Sequence, residues 1–353
     1  MSMTYPAALI DLHCDTLTAT HGGENSHTLD DPRSVLALSR LPKGVNWCQC
    51  FAVFVPDGLT PAEGNAYYRR FQASFVRQLS GRADAAQCRT AEDIRRAWAE
   101  GKTAAILTVE NGAALGGNLA EIDRLAQDGV GMLTLTWNGE NPLGSGHATD
   151  HGLSPLGRAA VPRLEEAGIL IDVSHLNDPG FYQLLDLIHR PFVASHSNAR
   201  GVCPHPRNLT DDQIRQMVSR RCLIGLNYYT RFLREDGQPE LGDLMRHIDH
   251  FLALGAENCL ALGSDFDGAD LPQFLSSPTK AAGLYGELAE RYGVSRTPIQ
   301  QALKRMHTQG MVVFSSKGHF SVPTFSEKEV CDIIEMRLLL EHQALTEDRK
   351  SVV

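Results

Sequence analysis

The sequence predicts an α/β chain whose main body is a (β/α)8 barrel. Three observations carry that prediction. Eight short apolar runs alternate with stretches whose apolar residues recur at three- and four-residue spacing. The alternation repeats eight times, which favours closure into a barrel over an open, doubly wound sheet. A doubly wound nucleotide fold would also want a Gly-rich phosphate turn after an early run, and none is present.

In chain order the strand runs are ALIDLH (8–13), NWCQCFAVFV (46–55), TAAILTV (103–109), GMLTLTW (131–137), GILIDVS (168–174), FVAS (192–195), CLIGLNY (222–228) and CLALGS (259–264). Each has the length of a buried parallel strand. Helix patterns occupy 62–80, 91–101 and 119–129 in the first half, then 156–168, 178–188, 210–221 and 240–255. Several close on Gly, the common C-terminal signal of a helix.

At 353 residues the chain has room for one large domain or a domain with a small module. No apolar run nears the roughly 20 residues that span a bilayer, and the N-terminus lacks a signal-peptide layout. No membrane partner is therefore expected. The eight cysteines show no CxxC pair. Cys14, Cys50 and Cys222 lie in apolar runs, so buried reduced thiols and a cytoplasmic location are expected. The net charge of -9 divides into -10 over 1–279, +4 over 280–323 and -3 over 324–353. An acidic body offers nothing to nucleic acid, whereas the basic island does.

Chemistry gathers at the ends of the runs. His13 and Asp15 follow the first, Glu110 the third, His175 the fifth, His196 the sixth and Asp265 the last. In a parallel barrel the carboxyl ends of all strands meet on one face. Side chains two apart share a side, so His13 and Asp15 make a pair suited to zinc. The two oxygens of Glu110 can bridge two cations, and His175 with His196 completes a second site. Such a pair of cations activates water and polarises a carbonyl. Asp265 is the candidate for moving protons between water and leaving group. His21, His27, His147, His151, His189, His247 and His250 read as solvated or structural.

With these residues in view, residues 8 to about 270 resemble the membrane (renal) dipeptidase family of binuclear zinc peptidases. The stretches are LIDLHCDT, LTVENG, LTLTWN, GLSPLGRAAVPRLEEAGILIDVSHL, FVASHSNARGVCPHPRNLTDDQI, GLNYY and GSDFDG. The resemblance implies a metal-dependent hydrolase barrel with two zinc ions per chain and dipeptides as substrates. His13 and Asp15 would bind one zinc and His175 and His196 the other, with Glu110 bridging. Asp265 would be the acid/base group, and Arg207 would hold the substrate carboxylate. Where many members carry a substrate-contacting His after LTLT, this chain has Trp137 followed by Asn138. Asn138 is read as an oxyanion donor and Trp137 as a packing or substrate-contacting residue.

After GSDFDGADLP the pattern changes. Residues 283–323 resemble the winged helix-turn-helix of GntR-type regulators, and 324–353 resemble a truncated first helix of a regulator's effector domain with a tail. Residues 1–272 form the barrel in this reading, and 273–282 the junction. Ser295, Arg296, Thr297 and Gln300, with Lys304 and wing residue Lys317, would face DNA, whose binding is expected to be weak. The barrel is expected to be C-terminally truncated, and its activity impaired by the replaced end. A homodimer is compatible with this reading. Two other functions stand beside the dipeptidase: a DNA-binding regulator with the barrel as passive or sensory domain, and a binuclear hydrolase of a cyclic amide or lactone.

Overall fold

The computed structural model describes residues 8–19, 28–292, 313–314 and 320–321. Every expected run carries a strand: β1 (Ala8–Asp11), β2 (Asn46–Phe54), β3 (Thr103–Glu110), β4 (Val130–Thr134), β5 (Leu170–Asp172), β6 (Val193–Ala194), β7 (Leu223–Leu226) and β8 (Leu260–Leu262). Each pairs in parallel with its sequence neighbour, and β8 returns to β1 where Leu262 lies beside Asp11. Eight strands thus close a barrel, and a short ninth, Ala85–Gln87, pairs in parallel with the start of β3. Except in β3, which runs on to Glu110, the strands end before the apolar runs do.

The helices stand where the three-to-four spacing put them: α1 (Pro61–Leu79), α2 (Ala91–Ala99), α3 (Glu121–Asp128), α4 (Pro155–Glu166), α5 (Asp178–Leu185), α6 (Asp211–Ser219) and α7 (Leu241–Ala253). Their starts are written locally. Thr60, Thr90 and Thr210 form capping boxes with Glu63, Asp93 and Gln213, while Ser154 and Asn177 accept from the backbone N–H of the third residue of their helices, Gly157 and Gly180.

Two glycines let the barrel narrow beneath the site. A Cβ at Gly225 on β7, or at Gly263 just after β8, would stand 1.9 Å from the Ser195 carbonyl oxygen. Only a residue without a side chain allows β6 to end that close to its neighbours.

A further helix, α8 (Pro278–Tyr292), follows β8. Leu275, Ala281, Ala282 and Leu284 are buried, and the first compact unit of the chain runs Met1–Gly286. In the second unit, Glu287–Val353, Val313–Phe314 pairs antiparallel with Phe320–Ser321. The DNA-facing candidates Ser295, Arg296, Thr297, Gln300, Lys304 and Lys317 lie outside the described residues. Among the described residues no helix is long and apolar enough to cross a membrane.

Candidate metal centre

The six strand-end candidates converge at one end of the barrel. Glu110 is their hinge: its Oε2 lies 3.5 Å from His13 Nε2, and its Oε1 lies 2.9 Å from His175 Nε2 and 3.5 Å from His196 Nε2. His13 Nε2 is also 3.3 Å from Asp15 Oδ2 and 3.9 Å from Asp265 Oδ1. The ligand atoms of His13, Asp15 and Asp265 fall within 4.8 Å of one another, as do those of His13, Glu110 and His196. His13, Asp15, Glu110, His175 and His196 are all buried.

Backbone strain accompanies the site. His175 and Asp265 take φ of 70° and 62°, and Asn111, directly after Glu110, takes 89°. Non-glycine residues accept this region at a cost that surrounding structure must outweigh. Close approach adds a second constraint. A Cβ at Gly268 would stand 1.9 Å from Asp15 Oδ2 and 2.7 Å from Asp265 Oδ1. Bare backbone therefore packs against both carboxylates.

Partners of the imidazoles fix which nitrogen faces inward. Asp172, buried on β5, accepts from Thr134 Oγ1 and Ser195 Oγ at 2.6 Å each, and from the Ser174 and Ser195 amides at 3.0 and 2.8 Å. Ser195 spends its single proton on Asp172, so at 2.7 Å its oxygen accepts from His196 Nδ1–H. His175 Nδ1–H donates in the same way to Asn138 Oδ1 at 2.8 Å. Both rings then turn bare Nε2 lone pairs toward each other, 3.0 Å apart. Burial first, then the charges of Arg207 and His13, push both imidazoles well below the usual histidine range. Two facing lone pairs beside a carboxylate are a donor set for a cation, and the metal-ligand chemistry of the residues fits one. Asp15 Oδ1, buried without a hydrogen-bond partner, fits the same reading.

The other carboxylate stands in a different balance. Burial raises Asp265 above the ordinary carboxylate range. His13 draws it down, Asp15 and Glu110 push it up, and Asn227 Nδ2 donates to its Oδ2 at 3.0 Å.

Arg207 is buried in the loop after β6. It donates through Nη1 to Ser197 Oγ and through Nη2 to the His196 carbonyl, both at 3.1 Å, while its Nε has no partner. Among the described residues no carboxylate pairs with it. Trp137 is half-buried, edge-on to Phe54 at 4.9 Å and 6.3 Å from the His175 ring. Asn138 holds His175 through its carbonyl oxygen, a task that the sequence reading did not assign to it.

Other residues at the site escaped the sequence reading. Asp172 and Ser195 act behind His196, and Asp172 carried a signal, being a carboxylate inside an apolar run. Asn227 ends β7. Asp57 accepts from Asn111 Nδ2 at 2.9 Å and from the Gly139 amide at 2.7 Å, which ties the segment after Glu110 to the one carrying Asn138. His147 and His205, on loops with no periodic signal, come within about 6 Å of each other, and the His147 ring lies 6.2 Å from His175.

An eight-stranded parallel barrel with carboxylates and imidazoles gathered at its strand ends defines a metal-dependent hydrolase. The chain belongs to the membrane dipeptidase family, peptidase family M19, whose pattern matches residues 3–306. It is therefore a metallo-dipeptidase, and metal ions, zinc in this family, are its cofactors. It is 34% identical over 200 residues to an uncharacterized protein in the pqqA 5′ region of Klebsiella pneumoniae, covering 53% of this chain and 74% of that one. Among solved structures it resembles dipeptidase AC, a metallopeptidase of family M19, with 27% identity, a TM-score of 0.73, and coverage of 84% and 94% of the two chains. It also resembles a metallopeptidase from Rhodobacter sphaeroides liganded with a phosphinate mimic of the dipeptide L-Ala-D-Ala, with 26% identity, a TM-score of 0.73, and coverage of 84% and 95%.

The family's pattern runs past residue 270, where the sequence reading ended it, and overlaps the regulator-like segment as far as residue 306. Within α8, Ala281, Ala282 and Leu284 are buried. Neither the family match nor the similar structures support a regulator module.

Proposed function

We propose that this chain cleaves dipeptides with two zinc ions, one held by His13 and Asp15, the other by His175 and His196, with Glu110 shared. One observation carries the reading: the two oxygens of Glu110 are divided, Oε2 toward His13 and Oε1 toward His175 and His196. Zinc bound there would supply Lewis acidity toward the scissile carbonyl and acidify an attacking water.

The chain's own residues do the rest. Asp265, lifted by burial and steadied by Asn227, takes the proton of the attacking water and returns it to the leaving amine. Arg207, a buried guanidinium with no carboxylate partner among the described residues, binds the substrate's C-terminal carboxylate. Asn138 and Ser195 keep the inward nitrogens of His175 and His196 free of protons. Trp137 and Phe54 form an apolar wall beside His175.

The test is hydrolysis of a panel of L,L and L,D dipeptides by the full chain, before and after zinc loading, with metal content measured in parallel. Turnover that rises with bound zinc to a plateau at two ions per chain is the expected result. A zinc-replete chain that cleaves none of the panel rules the reading out.

A further inference from the structure

We propose that His147 is a specificity residue that shares the substrate's C-terminal carboxylate with Arg207; this rests on the dipeptidase reading above. Its backbone is pinned to the metal centre. The His147 amide donates to the His175 carbonyl at 2.8 Å, Ala148 N–H to the Asn138 carbonyl at 2.9 Å, and Gly146 N–H to the Gly139 carbonyl at 2.7 Å. A Cβ at Gly146 would stand 1.8 Å from the Trp137 carbonyl oxygen, so the loop is pressed onto the residues that hold His175.

The ring, by contrast, has no hydrogen-bonding task among the described residues. Its Nδ1 is buried without a partner, and among the described residues the imidazole makes no side-chain hydrogen bond. A polar ring held so firmly and left unpaired is a group placed for a ligand.

Its neighbours say which part of the ligand. The His147 ring lies 6.2 Å from His175 on one side and 6.1 Å from His205 on the other. His205 packs on Phe232 at 4.6 Å, and the Arg207 guanidinium carbon lies 5.5 Å from the centre of that same Phe232 ring. A wall thus runs from metal ligand to guanidinium, with His147 next to the ligand. In a dipeptide the carboxylate carbon lies only three bonds, at most about 3.7 Å, beyond the scissile carbon. A donor one side chain away from His175 is therefore in place for that carboxylate. Its N–H adds a second direction of hydrogen bonding to the guanidinium of Arg207.

The experiment compares the zinc-loaded wild type with His147→Ala, His147→Gln and Arg207→Ala. Each is assayed on one L,D dipeptide, with that dipeptide's C-terminal amide as competitor. Losing one charge-assisted hydrogen bond is expected to raise KM of His147→Ala about 10-fold or more, with kcat within about 3-fold and zinc content unchanged. Binding of the amide is expected to change little, and His147→Gln, which keeps an N–H donor, to recover part of the loss. An equal loss for acid and amide, a fall in kcat at constant KM, or no change overturns the assignment. Calorimetric titration with free D-alanine reads the same contact without turnover. Equal affinity in wild type and His147→Ala would overturn the proposal even if no dipeptide were cleaved.

Discussion

Asp265 and Ser195 touch the same centre, yet their variants should fail differently. In the proposed mechanism Asp265 moves protons, so Asp265→Asn is expected to keep its zinc and lose about 10²- to 10⁴-fold in kcat. Retained turnover would remove it from the mechanism. Ser195 works on a tautomer: its oxygen accepts from His196 Nδ1 because its proton is committed to Asp172. Ser195→Ala is expected to weaken zinc binding about 10- to 100-fold. Competition against a chelator reads this directly, and an unchanged affinity would show that the ring needs no such partner. The convergence of the strand-end candidates was legible in the sequence because each is a polar residue closing an apolar run. Ser195 was not, since a serine before a histidine carries no sign of what stands behind it.

At the scale of elements, the barrel depends on absences as much as on contacts. Gly225 and Gly263 both face the Ser195 carbonyl, where a methyl group has no space. Gly263→Ala is expected to destabilise the chain by about 1–3 kcal/mol, read from the denaturant midpoint, and to disturb zinc binding through His196. Thr60→Ala, at the start of α1 and away from the site, is expected to cost about 1 kcal/mol and leave kcat unchanged. Leu284 tests whether α8 belongs to the barrel unit. It is 3% exposed, and Leu284→Ala is expected to cost about 2–5 kcal/mol. A neutral result would mean that the helix contributes little to the stability of the barrel.

For the whole molecule, acid stability has a named source. His247 accepts the Ala199 amide at Nδ1 and donates from Nε2 to the Leu233 carbonyl, both at 3.1 Å, an arrangement open only to the neutral ring. Burial, aided by His250 and Arg246, pushes it down to about 4. Unfolded histidine titrates near 6.5, so the unfolded chain binds the extra proton first as pH falls. Stability is full above about 6.5 and declines toward pH 4, by about 3 kcal/mol for this group. Melts across that window should show the loss, and His247→Gln should flatten it. Three carboxylates, Asp15, Glu110 and Asp265, crowd one buried centre, so zinc removal is expected to lower the melting temperature and restored zinc to recover it.

By itself the sequence determined the order of eight strands and seven helices, the closed barrel and the six residues at its rim. These follow from periodicity and from the polar ends of apolar runs, signals that are local and repeat. Past residue 272 the sequence pattern pointed to a different module, whereas the family's pattern runs on to residue 306 and Ala281, Ala282 and Leu284 are buried. Only the tertiary structure decided how Glu110 divides its oxygens, which histidine nitrogens face inward, and that His147 stands beside His175. Those outcomes depend on hydrogen bonds and packing between residues tens of positions apart, and no spacing along the chain records them.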